Sequence, residues 1–240
     1  MKLEKITFGG EPAWKRLYDD ACGTAHALDL AGERWALLVI RELLLGPKRF
    51  SDLKADLPGI SANVLTQRLE GLEQVGVLVR RRLPPPASAW VYELTPWGYE
   101  SEPIFQALGR WATRSPLHDP TLPISPVSVL LSFRTMLDPS RAAGLEALIA
   151  LRLGRESYEL RLSGGRLEVE RGPGQGADLS LAGEARTVAG LVYGGLIAED
   201  LEAAGALRVD GDRGLLARFV TLFPLPPKAT PSAGLPRDGG

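Results

Sequence analysis

Leu65, Leu69 and Leu72 recur at three- and four-residue spacing and define a single apolar stripe. On a 3.6-residue helix, Asn63, Thr66, Gln67 and Glu70 fall on the opposite side. Ser61 stands at the N-cap position, and Gly76 suits a left-handed stop at the other end. Just upstream, Phe50, Leu53 and Leu57 carry a shorter amphipathic segment that meets the next at Pro58-Gly59. Two short helices joined by a tight turn predict a helix-turn-helix. From Ala25 to Leu45 the helical period also dominates: Leu28, Trp35, Leu38 and Leu45 are expected to share a face, with Gly32 allowing a break. Gly46-Pro47 ends that run. VLVRRRL and WVYEL follow, rich in β-branched and aromatic residues, and PPPAS between them belongs at a loop tip because proline cannot donate to a ladder. Two such strands after a recognition helix predict a wing. Thr95-Pro96 then opens a helix with Ile104, Phe105, Leu108 and Trp111 as its apolar positions.

The pattern changes near residue 115. All five tryptophans precede it, and 17 of the 27 glycines follow it. SPLHDPTLPISP, with four prolines, reads as a linker over 116–126 between a domain at 1–115 and another at 127–224. VSVLLSFRTML fits a helix by its Ser125-Pro126 start and a strand by its alternation. ALIALRL, SYELRL, RLEVER and DLSLAG alternate as strands, Glu184 to Tyr193 and Ile197 to Ala204 as helices, and LRVDG and DRGLLARFVTLF close with a strand and a helix that Asp212 is placed to cap. Residues 225–240, rich in Pro and Gly, are expected to be disordered. The fold class is α+β in two domains, with an antiparallel sheet in the second.

Composition narrows the function. The chain has 240 residues, 24% of them charged, and a formal net charge of -1. That balance argues against a histone-like coat, yet residues 48–83 hold seven Lys/Arg against four acids, the local excess a site-specific duplex binder needs. No run of about 18 apolar residues predicts a membrane span, and MKLEKITFGG has no signal-peptide core. A cytoplasmic location is expected. One cysteine and two histidines, far apart, make a soft-ligand metal site improbable and suit a reducing compartment. GPGQG lacks the Lys-Ser/Thr of a phosphate loop and reads as a turn, and no catalytic constellation stands out, so no enzyme and no cofactor are expected. Asn and Gln on the outer face of the second helix can bond adenine bidentately in a major groove.

Cys22, the GERW segment, RELLLGPKRF, LPGIS, LTQRLEGLE and YELTPWG, in that order, resemble the HxlR-type winged helix-turn-helix regulators over about residues 20–113. The resemblance implies a transcription factor that binds double-stranded DNA as a homodimer. It carries base reading onto Asn63, Thr66 and Gln67 beside the capping Ser61, phosphate contact onto Arg49, and the wing role onto Arg80, Arg81 and Arg82. Some members respond to oxidants through a cysteine where Cys22 stands. No Lys or Arg lies within five residues of Cys22, and a free cysteine is more often a packed thiol.

RLEVERG, DLSLAGEARTVAGLVYGG and LRVDGDRGLLARFVTLF resemble the sterol carrier protein (type-two) family over about residues 127–224. The resemblance implies an apolar cavity for a small apolar or acyl ligand, with Leu191, Val192, Leu196, Phe219 and Phe223 as candidate lining, though core packing accounts for each of them too. The two resemblances together suggest a ligand-responsive DNA-binding regulator. The rival expectation is a lipid- or acyl-binding carrier whose winged domain serves only dimerisation.

Overall fold

The computed structural model describes residues 18–230. Contacts divide the chain into two compact units between Glu100 and Ser101.

In the first unit, α1 (Gly23–Ala31) and α2 (Ala36–Leu43) are separate helices. Trp35 between them adopts a φ of 79°, an uncommon region for a bulky side chain. The break resets the helical phase. Leu28 and Leu38 are therefore exposed, at 41% and 38%, and do not share a buried face with Leu45. Instead α2 buries Ala36, Val39, Ile40 and Leu43. Next come α3 (Phe50–Asp56) and α4 (Ala62–Gln74), where the Ser61 hydroxyl accepts the Val64 N–H at 3.2 Å. β1 (Leu78–Arg82) and β2 (Trp90–Leu94) pair antiparallel, in a register that sets Leu78 opposite Leu94 and Arg82 opposite Trp90. α5 (Pro96–Tyr99) is one turn, capped by Thr95, whose hydroxyl accepts the Gly98 N–H at 3.1 Å. Leu43, Leu53, Leu57, Ile60, Leu65, Leu69, Leu72 and Leu78 form the core, each no more than 2% exposed. Burying one such side chain contributes about 1.5–3 kcal/mol.

The second unit begins with α6 (Glu102–Thr113) and α7 (Pro126–Met136). The ambiguous VSVLLSFRTML segment is thus a helix: Ser125 caps it by accepting the Ser128 N–H at 3.1 Å, and Pro126 occupies the first turn. Its strand-like alternation arises because Val127, Val129, Leu130, Leu131, Phe133 and Met136 are all buried, so no polar face interrupts the pattern. β3 (Ala147–Leu153), β4 (Glu156–Ser163), β5 (Arg166–Arg171) and β6 (Leu179–Gly183) follow, then α8 (Ala185–Tyr193), α9 (Ala198–Ala203), β7 (Leu207–Gly211) and α10 (Arg213–Phe219). Asp212 caps α10, accepting from Gly214 at 2.7 Å and Leu215 at 3.0 Å.

Strand order is β5-β4-β3-β6-β7. The neighbours pair antiparallel as expected, with one parallel pair, β3 and β6. The exception follows from the chain's path: after β5 it must pass over β4 and β3 to reach the far side of β3. GPGQG makes that crossing, as the loop it was expected to be. Gly174, at φ 66°, lies so close on Ala150 that an added Cβ would overlap the alanine's.

Two sequence boundaries differ from the observed packing. The sequence pattern groups α6 with residues 1–115, and its contacts group it with α7. Residues 225–230, inside the tail expected to be disordered, are described and bond to the end of α6: Ala229 N–H donates to the Arg114 carbonyl at 2.7 Å. Backbone and side-chain hydrogen bonding, which composition does not register, holds them. Residues 231–240 of that tail lie outside the described residues.

Candidate nucleic-acid interface

The site is built on α4. Leu65, Leu69 and Leu72 are buried beneath it, while Asn63, Thr66, Gln67 and Glu70 are exposed. Ser61 is exposed at its N-cap, and Arg49 is exposed at the N-cap of α3. The face is therefore presented as the periodicity predicts. Arg68, half-buried, fixes α4 from the side, donating to Glu33 at 2.9 Å and to the Arg34 carbonyl at 3.0 Å. The Arg34 guanidinium in turn lies 5.4 Å from the centre of the Trp35 ring.

Behind this face lies a charged cluster that the sequence reading missed. Glu42 and Lys48 are 0% and 2% exposed. The Lys48 ammonium donates to Glu42 at 3.3 Å and also to Asp56, while Arg41 pairs with Glu42 at 2.6 Å. Lys48 further exchanges two backbone hydrogen bonds with Tyr92, at 3.0 and 2.9 Å. One residue thus ties α2, α3 and the wing strand β2 together. The available signal was a glutamate and a lysine six positions apart, on either side of the apolar LLLGP within RELLLGPKRF.

The three wing arginines each have a partner. The Arg80 guanidinium stacks over Trp90 at 4.7 Å, Arg81 Nε pairs with Glu93, and Arg82 Nε donates to the Ser88 carbonyl at 3.2 Å. The Glu93 hydrogen bond raises the Arg81 pKa above its ordinary value. Nε engagement in Arg81 and Arg82 leaves their terminal amino groups for other acceptors.

Cys22 is exposed and stands at the N-cap of α1. The packed-thiol expectation is therefore not met: the N-cap position leaves the residue outside the helix's buried side. Its neutral side chain makes no capping hydrogen bond. As a thiolate it faces free N–H groups, and bonding to the Thr24 N–H first, then to the Ala25 N–H and the Thr24 hydroxyl, lowers its pKa below the usual cysteine value. With the folded pKa lowered, alkylation by iodoacetamide is expected to inflect at lower pH in the native chain than in the same chain in urea. Coincident pH–rate profiles would remove the activated-thiol assignment.

The five candidate pocket residues of the second unit differ in exposure. Leu191 is buried, Val192 half-buried and Leu196 49% exposed. Phe219 and Phe223 are buried against Phe133, with ring centres 5.7 and 4.6 Å from it. A groove of about 370 Å³ lies on the sheet, lined by Arg152, Ser157, Ser180, Arg208 and Asp210 among others, and none of the five belongs to it.

A buried-stripe helix with a polar outer face, a preceding short helix and a two-stranded wing define a winged helix-turn-helix protein. Residues 30–118 match the HxlR-like helix-turn-helix family. The HTH-type transcriptional regulators YvaP and YodB of Bacillus subtilis (strain 168) are 39% and 38% identical over 87 and 86 residues, covering 36% of this chain and 81% and 77% of theirs. The chain belongs to the HxlR-like helix-turn-helix family. The reduced form of YodB from B. subtilis, a solved structure, is 35% identical and covers 41% of this chain and 98% of its own, with a TM-score of 0.37. Residues 131–224 match the SCP-2 sterol transfer family. Among the described residues no helix is long and apolar enough to cross a membrane.

Proposed function

We propose that this chain is a cytoplasmic, DNA-binding transcriptional regulator that acts as a homodimer, with a second unit that takes a small apolar or acyl ligand. The observation that carries the DNA reading is α4: Asn63, Thr66 and Gln67 are exposed on a helix whose leucine stripe, Leu65, Leu69 and Leu72, is buried. Amides at such positions reach base edges in the major groove, and Arg49 with the wing arginines supplies phosphate contacts. The relatives named as HTH-type transcriptional regulators support the reading.

The homodimer rests on α6. Ile104, Leu108 and Trp111 recur along one side at helical spacing and are 54%, 43% and 74% exposed. An apolar stripe of this kind suits an isologous contact with a second copy, which a two-fold operator requires. The ligand reading is supported by the SCP-2 match and by Leu196 and Ile197, which are exposed beside α8. Native mass spectrometry of the purified chain with an acyl probe tests it. A clean apo mass alone counts against it.

For the DNA reading, the chain is titrated onto its own upstream DNA at two salt concentrations. Gln67→Ala is expected to lose about 1–3 kcal/mol at particular base pairs. Arg81→Ala is expected to flatten the log–log salt slope by about one unit. An equal loss on every sequence for Gln67→Ala removes it as a base reader. Binding with no salt dependence overturns the reading as a whole.

A helical-thiol reading has its own observation, the exposed Cys22 at the start of α1. In that reading oxidation or adduct formation at Cys22 alters DNA affinity, and Cys22→Ser abolishes the response without changing affinity in reductant.

A further inference from the structure

By sequence, α6 falls inside the 30–118 match to the HxlR-like family, yet by contacts it lies in the second unit. None of its 12 residues is buried. A helix without a buried stripe gains little orientation from apolar packing, so its pose depends on polar ties.

Those ties are present at both ends. In the first turn of α6, the Glu102 carboxylate accepts from Arg134 Nη1 with both oxygens, each at 2.9 Å. Nη2 of the same guanidinium donates to the Val169 carbonyl of β5 at 2.8 Å, and Gln106 donates to Glu102 at 3.0 Å. One arginine on α7 therefore joins the start of α6 to a strand of the sheet. Further along, Arg110 donates to the Thr135 carbonyl in the last turn of α7. Past the end of α6, the Lys228 ammonium donates to the Thr113 and Ser115 carbonyls at 3.0 and 3.2 Å, and Arg114 Nε donates to the Pro227 carbonyl at 3.2 Å. The last carbonyls of a helix lack internal donors and carry partial negative charge, which a lysine satisfies.

We propose that Glu102, Arg134 and Lys228 are positioning residues, through which the sterol-carrier-like unit sets the pose of the self-association helix. This rests on the homodimer reading of α6. The added unit is then a brace, and the polar clamp at the two ends of α6 leaves Ile104, Leu108 and Trp111 free to meet a second copy. A two-fold reader must meet two half-sites about 34–36 Å apart at once, which demands a well-held self-association contact. Loosening the clamp therefore weakens docking on two half-sites and leaves docking on one unchanged.

The test uses the full chain and duplexes carrying one or both half-sites footprinted on its own upstream DNA. Arg134→Ala combined with Lys228→Met is expected to weaken binding to the two-half-site duplex about tenfold and to speed amide exchange along α6 by a similar factor. Affinity for the single half-site stays within about twofold of the parent. Arg134→Lys, which keeps the charge and loses the fork to Val169, is expected to fall between, at about threefold. An equal loss on both duplexes, or unchanged exchange along α6, overturns the proposal. Leu108→Glu with Trp111→Glu separates the premise: if sedimentation shows the same oligomer as the parent, it is the homodimer reading that fails. The rate of α6 exchange in the clamp variants reports on the brace independently of that outcome.

Discussion

Phe133→Ala is expected to lower the stability of the second unit by about 3–5 kcal/mol, the range for emptying a buried phenylalanine site. Phe133 is fully buried on α7 and meets three other rings. It stacks on Phe223 at 4.6 Å, meets Phe219 edge-on at 5.7 Å and lies 6.0 Å from Tyr193. The Tyr193 hydroxyl is bonded to Ser132 at 2.8 Å, and burial raises its pKa well above that of a free tyrosine, so it stays neutral and adds no charge to the cluster. Loss of the ring removes both transfer energy and contacts that neighbours cannot replace. In scanning calorimetry the transition of this unit is expected to fall by roughly 10 °C or more. A shift of about 2 °C or less would mean that the four rings are not its packing centre. The same variant bears on ligand capacity, because removing the Phe133 ring opens apolar space beside Phe219 and Phe223. Uptake of an apolar probe is expected to rise in Phe133→Ala over the parent.

Lys48→Met is expected to cost the winged unit about 3 kcal/mol, at the lower end of what breaking a buried ion pair costs. The change removes the cation between Glu42 and Asp56 and leaves the Glu42 carboxylate, 0% exposed, paired with Arg41. The Arg41 pair holds the loss toward the lower end. Adding Glu42→Leu is expected to recover much of it, since an apolar pair of similar volume is often as stable as the ion pair it replaces. The measurement is a urea titration followed through tryptophan emission, in the single and double variants. A double variant no more stable than Lys48→Met would show that the Glu42 charge left without Lys48 is not the source of the loss.

Much of the fold was legible in local signals. Ser61, Thr95, Ser125 and Asp212 each stand at a helix N-cap and each accept a backbone N–H within three residues. The leucine stripe of α4 and the alternation in β3, β4 and β5 located those elements to within a residue or two. These signals are readable because capping and periodicity act over one helical turn or one strand pair. The exposure of Asn63, Thr66 and Gln67 follows from the same stripe. Where a residue's role depended on remote neighbours, the reading weakened. Arg80, Arg81 and Arg82 were legible as a wing, but not as partners of Trp90, Glu93 and Ser88, because strand register decides which side chains meet. Phe219 and Phe223 were legible as apolar, but not as a stack on Phe133.

The sequence by itself determined the helix-turn-helix, its caps, the wing and the α+β character of the second half, because those rest on interactions between residues a few positions apart. Tertiary structure alone decided that VSVLLSFRTML is a helix, since burial on every side erases the period that distinguishes helix from strand. It alone placed Lys48 among buried carboxylates and set Arg68 on Glu33, 35 positions away. It also decided the allegiance of α6, through bonds such as the one from Lys228 to Thr113 across 115 positions. Such contacts are fixed by topology, and a pattern confined to neighbouring residues carries no record of them.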